Sequence, residues 1–342
     1  MTNKKAATKQ KVSGVLLVDK PQGMTSQQVV SKVKYLFQSP VHDSKKAGHT
    51  GTLDPMATGL LPICLGEATK FSHYQLDADK SYQALISLGQ QTDTGDSEGQ
   101  VIAQAPIADF DNALLASIAE QFIGAQKQIP PMYSALKKDG KKLYEYARAG
   151  IEIERPARDI VIKALTLSKV ATDTIELSVT CSKGTYVRVL GEDIAKALDT
   201  LGHLTALRRI QVGKFTIDDA IDIAHLESLS LEQRFEQLLA VDACIDIDAE
   251  LMLSAEQCER LRLGQRLNVI EQIDESLQRY IANNLSKSVD DPTPDYELPV
   301  DIKLANEQGN FIGLGAISLN GRLQPKKMIA LSSWCAVTSE LH

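Results

Sequence analysis

The chain has 342 residues, 43% of them hydrophobic, and a formal net charge of −7, which suggests about two domains with ample material for a core. No run nears the ~18 apolar residues of a membrane-crossing helix. Five cysteines at wide spacings, with no CxxC and no histidine cluster beside them, argue against structural zinc or a disulfide framework and for reduced thiols in a cytoplasmic protein.

The N-terminal "MTNKKAATKQKVSG" has lysines but no apolar run behind them, so residues 1–12 read as a flexible basic tail rather than a signal peptide. Next, "SGVLLVDKP" reads as a short buried strand ended by Pro21, and "TSQQVVSKVKYLF" as a helix capped by Thr25 or Ser26. In "GHTGTLDPMATGLLPICLGEATKF", Asp54 precedes Pro55. Aspartate is a favoured N-cap and proline a favoured first helical residue, so Pro55 to Leu61 is expected to be a short helix stopped at Pro62. "KSYQALISLG" alternates like a strand, with Tyr82, Ala84, Ile86 and Leu88 on one face. "DNALLASIAEQFIG" and "KKLYEYARAG" read as helices closed by Gly124 and Gly150.

"IVIKALTLSKV" and "TIELSVTCSKGTYVRVL" read as strands, "GEDIAKALDTLG" as a helix and "ALRRIQVGKFT" as a strand. Residues 217–250 are an acidic helical connector. Beyond it, residues 251–336 read as a small β domain. Asn320-Gly321 between alternating apolar residues is a strong hairpin signal, and the Ser-, Asp- and Pro-rich segment 286–299 is expected to be a mobile insertion. Strands and helices mix without strict βαβ alternation. The fold class is therefore α+β with a largely antiparallel mixed sheet, and without GxGxxG or a P-loop a nucleotide cofactor has no support.

Charge is unevenly placed. Residues 1–70 carry ten Lys/Arg against four Asp/Glu, whereas residues 216–300 carry six against nineteen. With the cluster "KKDGKK" (137–142), a phosphate-binding face is possible on an acidic chain. Asp54 has no serine–histidine partners for a triad and no companion carboxylates at ligand spacing. What remains for it is nucleophilic or base chemistry through its own oxygen. Burial would raise its pKa, and a nearby arginine would hold it charged. Arg188, two residues after Tyr186 and on the same face if that stretch is extended, is the candidate.

The segments "DKPQGMTS" (19–26), "GHTGTLDPMATGLLPICLGEATKF" (48–71), "DKSYQALISLGQQTDTGDSEG" (79–99), "PPMYSALKKDGKKLYEYARAG" (130–150), "CSKGTYVRVLGEDIAKALD" (181–199) and "HLTALRRIQVGKF" (203–215) occur in this order. Together they closely resemble the bacterial TruB family, the tRNA pseudouridine-55 synthases. The resemblance implies a catalytic pseudouridine synthase core at 13–216 and a PUA-type RNA-binding barrel at 251–336. It implies that Asp54 attacks the target uridine. The N1–C1′ bond then breaks, the base rotates and C5 rejoins C1′, through a covalent or a glycal intermediate.

By the same resemblance Tyr82 stacks on the target base and is the candidate for removing the C5 proton, and Arg188 pairs with the catalytic carboxylate. Tyr186, Leu207 and Ile63 wall the pocket, His49 positions flipped bases, and Lys20 and Pro21 support the site's floor. Lys137, Lys138, Lys141 and Lys142 are then phosphate contacts. The expected partner is the T-arm of tRNA, with the acceptor end meeting the C-terminal domain. The chain is expected to be a monomer, without metal or cofactor. "SPVHDSK" before Ala47 is longer than the family's usual segment, and the 286–299 insertion departs from it too. Two other functions fit less of the sequence. A non-catalytic RNA-binding or tRNA-folding protein has no use for an intact Asp54, Tyr82 and Arg188, and a hydrolytic N-glycosidase would lack its second carboxylate.

Overall fold

The computed structural model describes residues 9–285 and 299–330. Residues 1–8 of the expected tail, 286–298 of the expected insertion, and 331–342 lie outside the described residues. Strand β1 (Gln10–Lys11) is followed by β2 (Gly14–Lys20), buried on both faces. Helix α1 (Ser26–Leu36) starts at a capping box: Gln28 N donates to Thr25 Oγ1 (3.1 Å) and Thr25 N to Gln28 Oε1 (2.7 Å). Its buried face is Val29, Val30, Val33 and Leu36, as the helical spacing predicts. Strand β3 (His42–Asp43) pairs with β1, and β4 (Ala47–His49) leads into the loop that carries Asp54.

The expected helix from Pro55 to Leu61 does not form. Only a turn follows Asp54 (Ala57 N to Asp54 O, 3.1 Å), and Thr58–Leu65 is strand β5. "GLLPICL" is apolar on both faces, and all of it is buried against β2, from Gly14↔Leu65 to Lys20↔Gly59. Pro62 is tolerated because its backbone points away from β2. The carbonyl on that side accepts Thr50 N (3.1 Å), in the gap between β4 and β14, where no ladder donor is needed.

Helix α2 (Ser72–Asp77) precedes β6 (Lys80–Leu88) and the hairpin β7 (Gln90–Thr92) to β8 (Val101–Gln104). Helix α3 (Asn112–Phe122) is capped by Asp111 and ends before Gly124, which opens β9 (Gly124–Gln128) instead of closing the helix. The lysine cluster folds as a tight hairpin, β10 (Lys137–Lys138) and β11 (Lys141–Lys142), with Asp139 (φ 51°) and Gly140 (φ 81°) at its tip. Helix α4 (Leu143–Arg148) then runs to Gly150 (φ 70°). Strands β12 (Arg158–Lys169) and β13 (Thr174–Cys181) are antiparallel.

The expectation that Tyr186 and Arg188 share an extended face fails: helix α5 (Val187–Ala197) begins there, with Tyr186 at its N-cap. Strands β14 (Gly202–Val212), β15 (Phe215–Thr216) and β16 (Ile221–Asp222) complete a ten-stranded sheet of order β16-β2-β5-β14-β6-β13-β12-β9, with β15 on β14 and β4 on β5. Within this sheet, among the described residues, only β14·β5 and β16·β2 are parallel, so the mixed, largely antiparallel α+β reading stands.

The acidic stretch after β15 is only partly helical, with α6 (Ile223–Ser228) and α7 (Leu231–Glu236). It packs on the first sheet: β16 pairs with β2, and Leu239 exchanges backbone bonds with Val15 (2.8 and 3.0 Å). Then follow β17 (Glu250–Leu253), α8 (Ala255–Arg262), β18 (Leu267–Asn268), α9 (Glu275–Leu285), β19 (Val300–Asn306), β20 (Phe311–Ile317) and β21 (Arg322–Met328). They form a five-stranded sheet, β17-β19-β20-β21-β18, with Asn320-Gly321 at the β20–β21 turn. This sheet docks on the 3-10 turn Gly66–Lys70 and the residues after it. Phe71 meets Phe311 edge-on (5.4 Å), Lys70 Nζ donates to Met328 O (2.9 Å), and Ala330 N donates to Glu67 Oε2 (3.0 Å).

Candidate active site

The loop between β4 and β5 is tied down from three sides. Lys20, fully buried at the end of β2, donates Nζ to Pro21 O (2.9 Å), Met24 O (2.6 Å) and Pro55 O (3.4 Å). Ser26, the first residue of α1, donates Oγ to Leu53 O (2.9 Å) and accepts Leu53 N (2.8 Å). Arg209, buried on β14, donates Nε to Leu60 O (2.8 Å) and Nη2 to Gly51 O (3.2 Å). The loop's course is thus set by neighbours far away in sequence, and Asp54 is held at its turn without capping any helix.

Asp54 opens into a cleft of about 420 Å³ lined also by Leu53, Lys80, Tyr82, Ser134, Leu136, Tyr186, Arg188, Leu207 and Arg209. Arg188, 4% exposed, sits in the first turn of α5 and spreads its guanidinium over four acceptors. These are Asp54 Oδ2 (2.9 Å), Asp96 Oδ2 (3.3 Å), Thr94 O (2.6 Å) and Tyr133 O (2.8 Å). Asp96, in the β7–β8 loop, is itself pinned by Thr94 Oγ1 (2.6 Å) and Glu98 N (3.1 Å).

Burial pushes the Asp54 carboxyl above its usual range. Arg188 and, more weakly, Lys20 pull it back, while Asp96 pushes it further up. The expected arginine is in place, yet it does not fully offset burial. The Asp54 side chain is still 37% exposed at the cleft mouth, so the desolvation comes from its walls, and solvent screening limits it.

Tyr82 lies on β6 opposite Arg209 of β14. Burial raises its phenol, and the Arg209 charge and hydrogen bond oppose that rise. The Tyr186 backbone is clamped by the Gln128 amide: Tyr186 N donates to Gln128 Oε1 (2.8 Å) and Gln128 Nε2 donates to Tyr186 O (3.1 Å). Lys80 donates Nζ to Gln75 O (3.0 Å), Leu76 O (2.7 Å) and Ala78 O (2.6 Å), closing the end of α2, and burial lowers its pKa to about 8.

The structure gathers Asp54, Tyr82, Arg188, Tyr186 and Leu207 into one cleft. Lys20 does not line it; its Nζ bonds the Pro21, Met24 and Pro55 carbonyls behind the Asp54 loop. His49 does not line it. It sits on β4, where its Nδ1 accepts Gly51 N (3.3 Å). Ile63 is fully buried in the core and walls nothing, because the strand that replaced the expected helix turns it inward. Lys137, Lys138 and Lys141 are exposed and Lys142 half-buried, on a hairpin continuous with the lining residues Ser134–Leu136. The sequence reading missed Asp96, Arg209, Ser26, Gln128 and Lys80. For Asp96 no local signal was present: it is one of three acids in "DTGDSEG", and only the structure sets it apart as the buried one. Among the described residues, no three His, Cys, Asp or Glu side chains are grouped to hold a metal ion, and no helix is long and apolar enough to cross a membrane.

Solved structures share this architecture. The Cbf5–Nop10–Gar1 complex superposes with a TM-score of 0.60 at 20% identity, over 94% of this chain and 86% of that one. The archaeal box H/ACA sRNP Nop10–Cbf5 complex also gives 0.60, at 17% identity, over 94% and 87%. The chain is 70% identical over 340 residues to the tRNA pseudouridine synthase B of Psychrobacter cryohalolentis, covering 94% of this chain and 95% of that one. It is 44% identical to the enzyme of that name from Aromatoleum aromaticum, covering 93% of each. Fold and relatives together make the chain a pseudouridylate synthase, an isomerase. It belongs to the TruB family: the TruB family pseudouridylate synthase N-terminal domain matches residues 40–187, and the tRNA pseudouridylate synthase B C-terminal domain matches residues 188–251.

Proposed function

We propose that this chain converts a uridine in the T-loop of tRNA to pseudouridine, acting as a cytoplasmic monomer, with Asp54, Tyr82 and Arg188 as its catalytic residues. The observation that carries the assignment is the 2.9 Å contact of buried Arg188 with Asp54 at the mouth of a cleft walled by Tyr82. A base stacked in an RNA loop must leave its stack before its glycosidic carbon is reachable. Flipping costs a few kcal/mol, offset by stacking in the cleft.

Arg188 and Lys20 favour the ionised form of Asp54 against burial. The carboxylate assists rupture of the N1–C1′ bond, whose electron pair leaves with the base. The detached base turns within the walls formed by Tyr82, Tyr186 and Leu207, C5 joins C1′, and the hydrogen at C5 leaves to Tyr82. Nothing is gained or lost overall, so the reaction needs no redox or group-transfer cofactor. The Lys137–Lys142 hairpin meets backbone phosphates, and His49, on β4 outside the cleft lining, positions flipped bases. The second sheet contacts the acceptor end. The test is a T-arm stem-loop transcript incubated with enzyme and digested to nucleosides, with the modified position mapped. Pseudouridine at the T-loop site is expected. Free uracil would replace the isomerase by a glycosidase, and binding without product would leave a non-catalytic RNA-binding protein.

A further inference from the structure

Arg209 is 1% exposed and borders the cleft. Whereas Arg188 and Arg208 each hold a carboxylate, Arg209 has no carboxylate partner among the described residues. Its donors go to two backbone carbonyls, Leu60 O and Gly51 O, and it faces Tyr82 across the β14–β6 pair at the cleft wall. The placement is tightly constrained. Residue 209 is opposite Tyr82 on one side and Gly59 on the other, and a Cβ at Gly59 would lie 2.2 Å from Arg209 O. A β-bulge between residues 209 and 211 follows immediately.

Satisfying two carbonyls does not need a buried cation, since neutral donors serve as well. Burying a charge without a counter-charge is costly, and such charges persist where a site uses them. The groups facing Tyr82 are Arg209 from β14, Cys181 from β13 and Asp54 from the loop. Of these, Arg209 is the one that favours a negative oxygen there.

We propose that Arg209 is a positioning residue for proton abstraction: it fixes the Tyr82 hydroxyl and supplies the positive charge that stabilises its anionic form. The proposal rests on the pseudouridine synthase reading of the cleft. After C5 has bonded to C1′, C5 is tetrahedral and still carries its hydrogen. The Tyr82 oxygen takes that proton, the C–H electron pair restores the C5–C6 double bond, and N1 takes up a proton from solvent. An uncharged residue 209 leaves the phenol harder to ionise and the last step slow, with RNA binding little changed.

The experiment places 3,5-difluorotyrosine at position 82, which eases phenol ionisation, and follows it by fluorine NMR as pH is raised. The backgrounds are Arg209, Arg209→Lys, Arg209→Gln and Arg209→Met. The titration should move to higher pH by about one unit or more in the neutral variants, with Lys between them and the parent. With ordinary tyrosine, the neutral variants should lose about tenfold or more in single-turnover rate, and the fluorinated phenol should restore part of it. A titration that does not move, or a rate that fluorination fails to lift, overturns the role. The NMR readout needs no turnover. If the parent makes no pseudouridine, the reading of the cleft fails on its own, and the electrostatic link between Arg209 and Tyr82 is judged separately.

Discussion

Arg188→Met removes the one cation lying between two carboxylates. Arg188 and Asp96 are 4% and 3% exposed, and the guanidinium also serves Thr94 O and Tyr133 O. Removing one partner of a buried ion pair typically costs about 3–5 kcal/mol, because the other charge is left uncompensated. At about 2–4 °C per kcal/mol for a domain of this size, the thermal midpoint should fall by about 6–20 °C. Asp54 then faces Asp96 without the cation that holds its carboxyl down, the Asp54 carboxyl rises, and turnover at neutral pH is lost. The double variant Arg188→Met/Asp96→Asn should regain much of the stability, since the orphaned charge is gone, but none of the turnover. Thermal unfolding by circular dichroism and single-turnover tritium release separate the two effects. A midpoint unchanged in the single variant, or a double variant no more stable than the single, would refute the argument that Arg188 is held by charge.

Lys20→Met removes a charge that favours ionised Asp54, so the acid limb of the rate profile should move to higher pH. An unmoved limb means that Lys20 acts only through its carbonyl bonds. Replacing Lys137, Lys138, Lys141 and Lys142 with glutamine should weaken tRNA binding and lower its salt dependence by about 0.7–0.9 for each phosphate no longer neutralised, with the bound-state rate little changed. Equal affinities at low salt would remove the hairpin from the interface. Burial works to raise the Glu67 carboxyl, but Lys70, Ala330 N–H and Lys46 outweigh it and hold the group below its ordinary 4.5. Because the folded pKa is the lower one, this stabilisation is present above 4.5 and is lost as pH falls through the folded value. Glu67→Gln should therefore lower the unfolding midpoint at neutral pH and flatten its decline in acid. An unchanged pH slope would contradict the role of this carboxylate in docking the second sheet.

Local signals in the sequence are reliable where local chemistry decides the outcome. Thr25 and Gln28 form the capping box that "TSQQ" announces, and Asn320-Gly321 turns a hairpin. Legibility ends where tertiary neighbours decide. Asp54-Pro55 is a sound helix start, yet the apolar residues after it are buried on both faces beside β2, and a strand satisfies their backbone better there. "TYVRV" reads as extended, but Val187, Arg188 and Leu190 are buried in the first turn of α5. The family motifs bring out Asp54, Tyr82 and Arg188. Asp96 and Arg209 stay hidden because their partners are distant in sequence. Adjacent arginines on a strand point to opposite faces, so "RR" at 208–209 already implies one arginine turned inward.

The central claim is that the Asp54 carboxylate, held by Arg188, carries the chemistry. The most direct measurement is tritium release from a tRNA transcript labelled at uridine C5, comparing wild type with Asp54→Asn under single-turnover conditions with tRNA binding measured alongside. The account predicts release by the wild type, with pseudouridine in the digest, and none by Asp54→Asn, which should still bind tRNA. Release by Asp54→Asn at a rate near that of the wild type would contradict it.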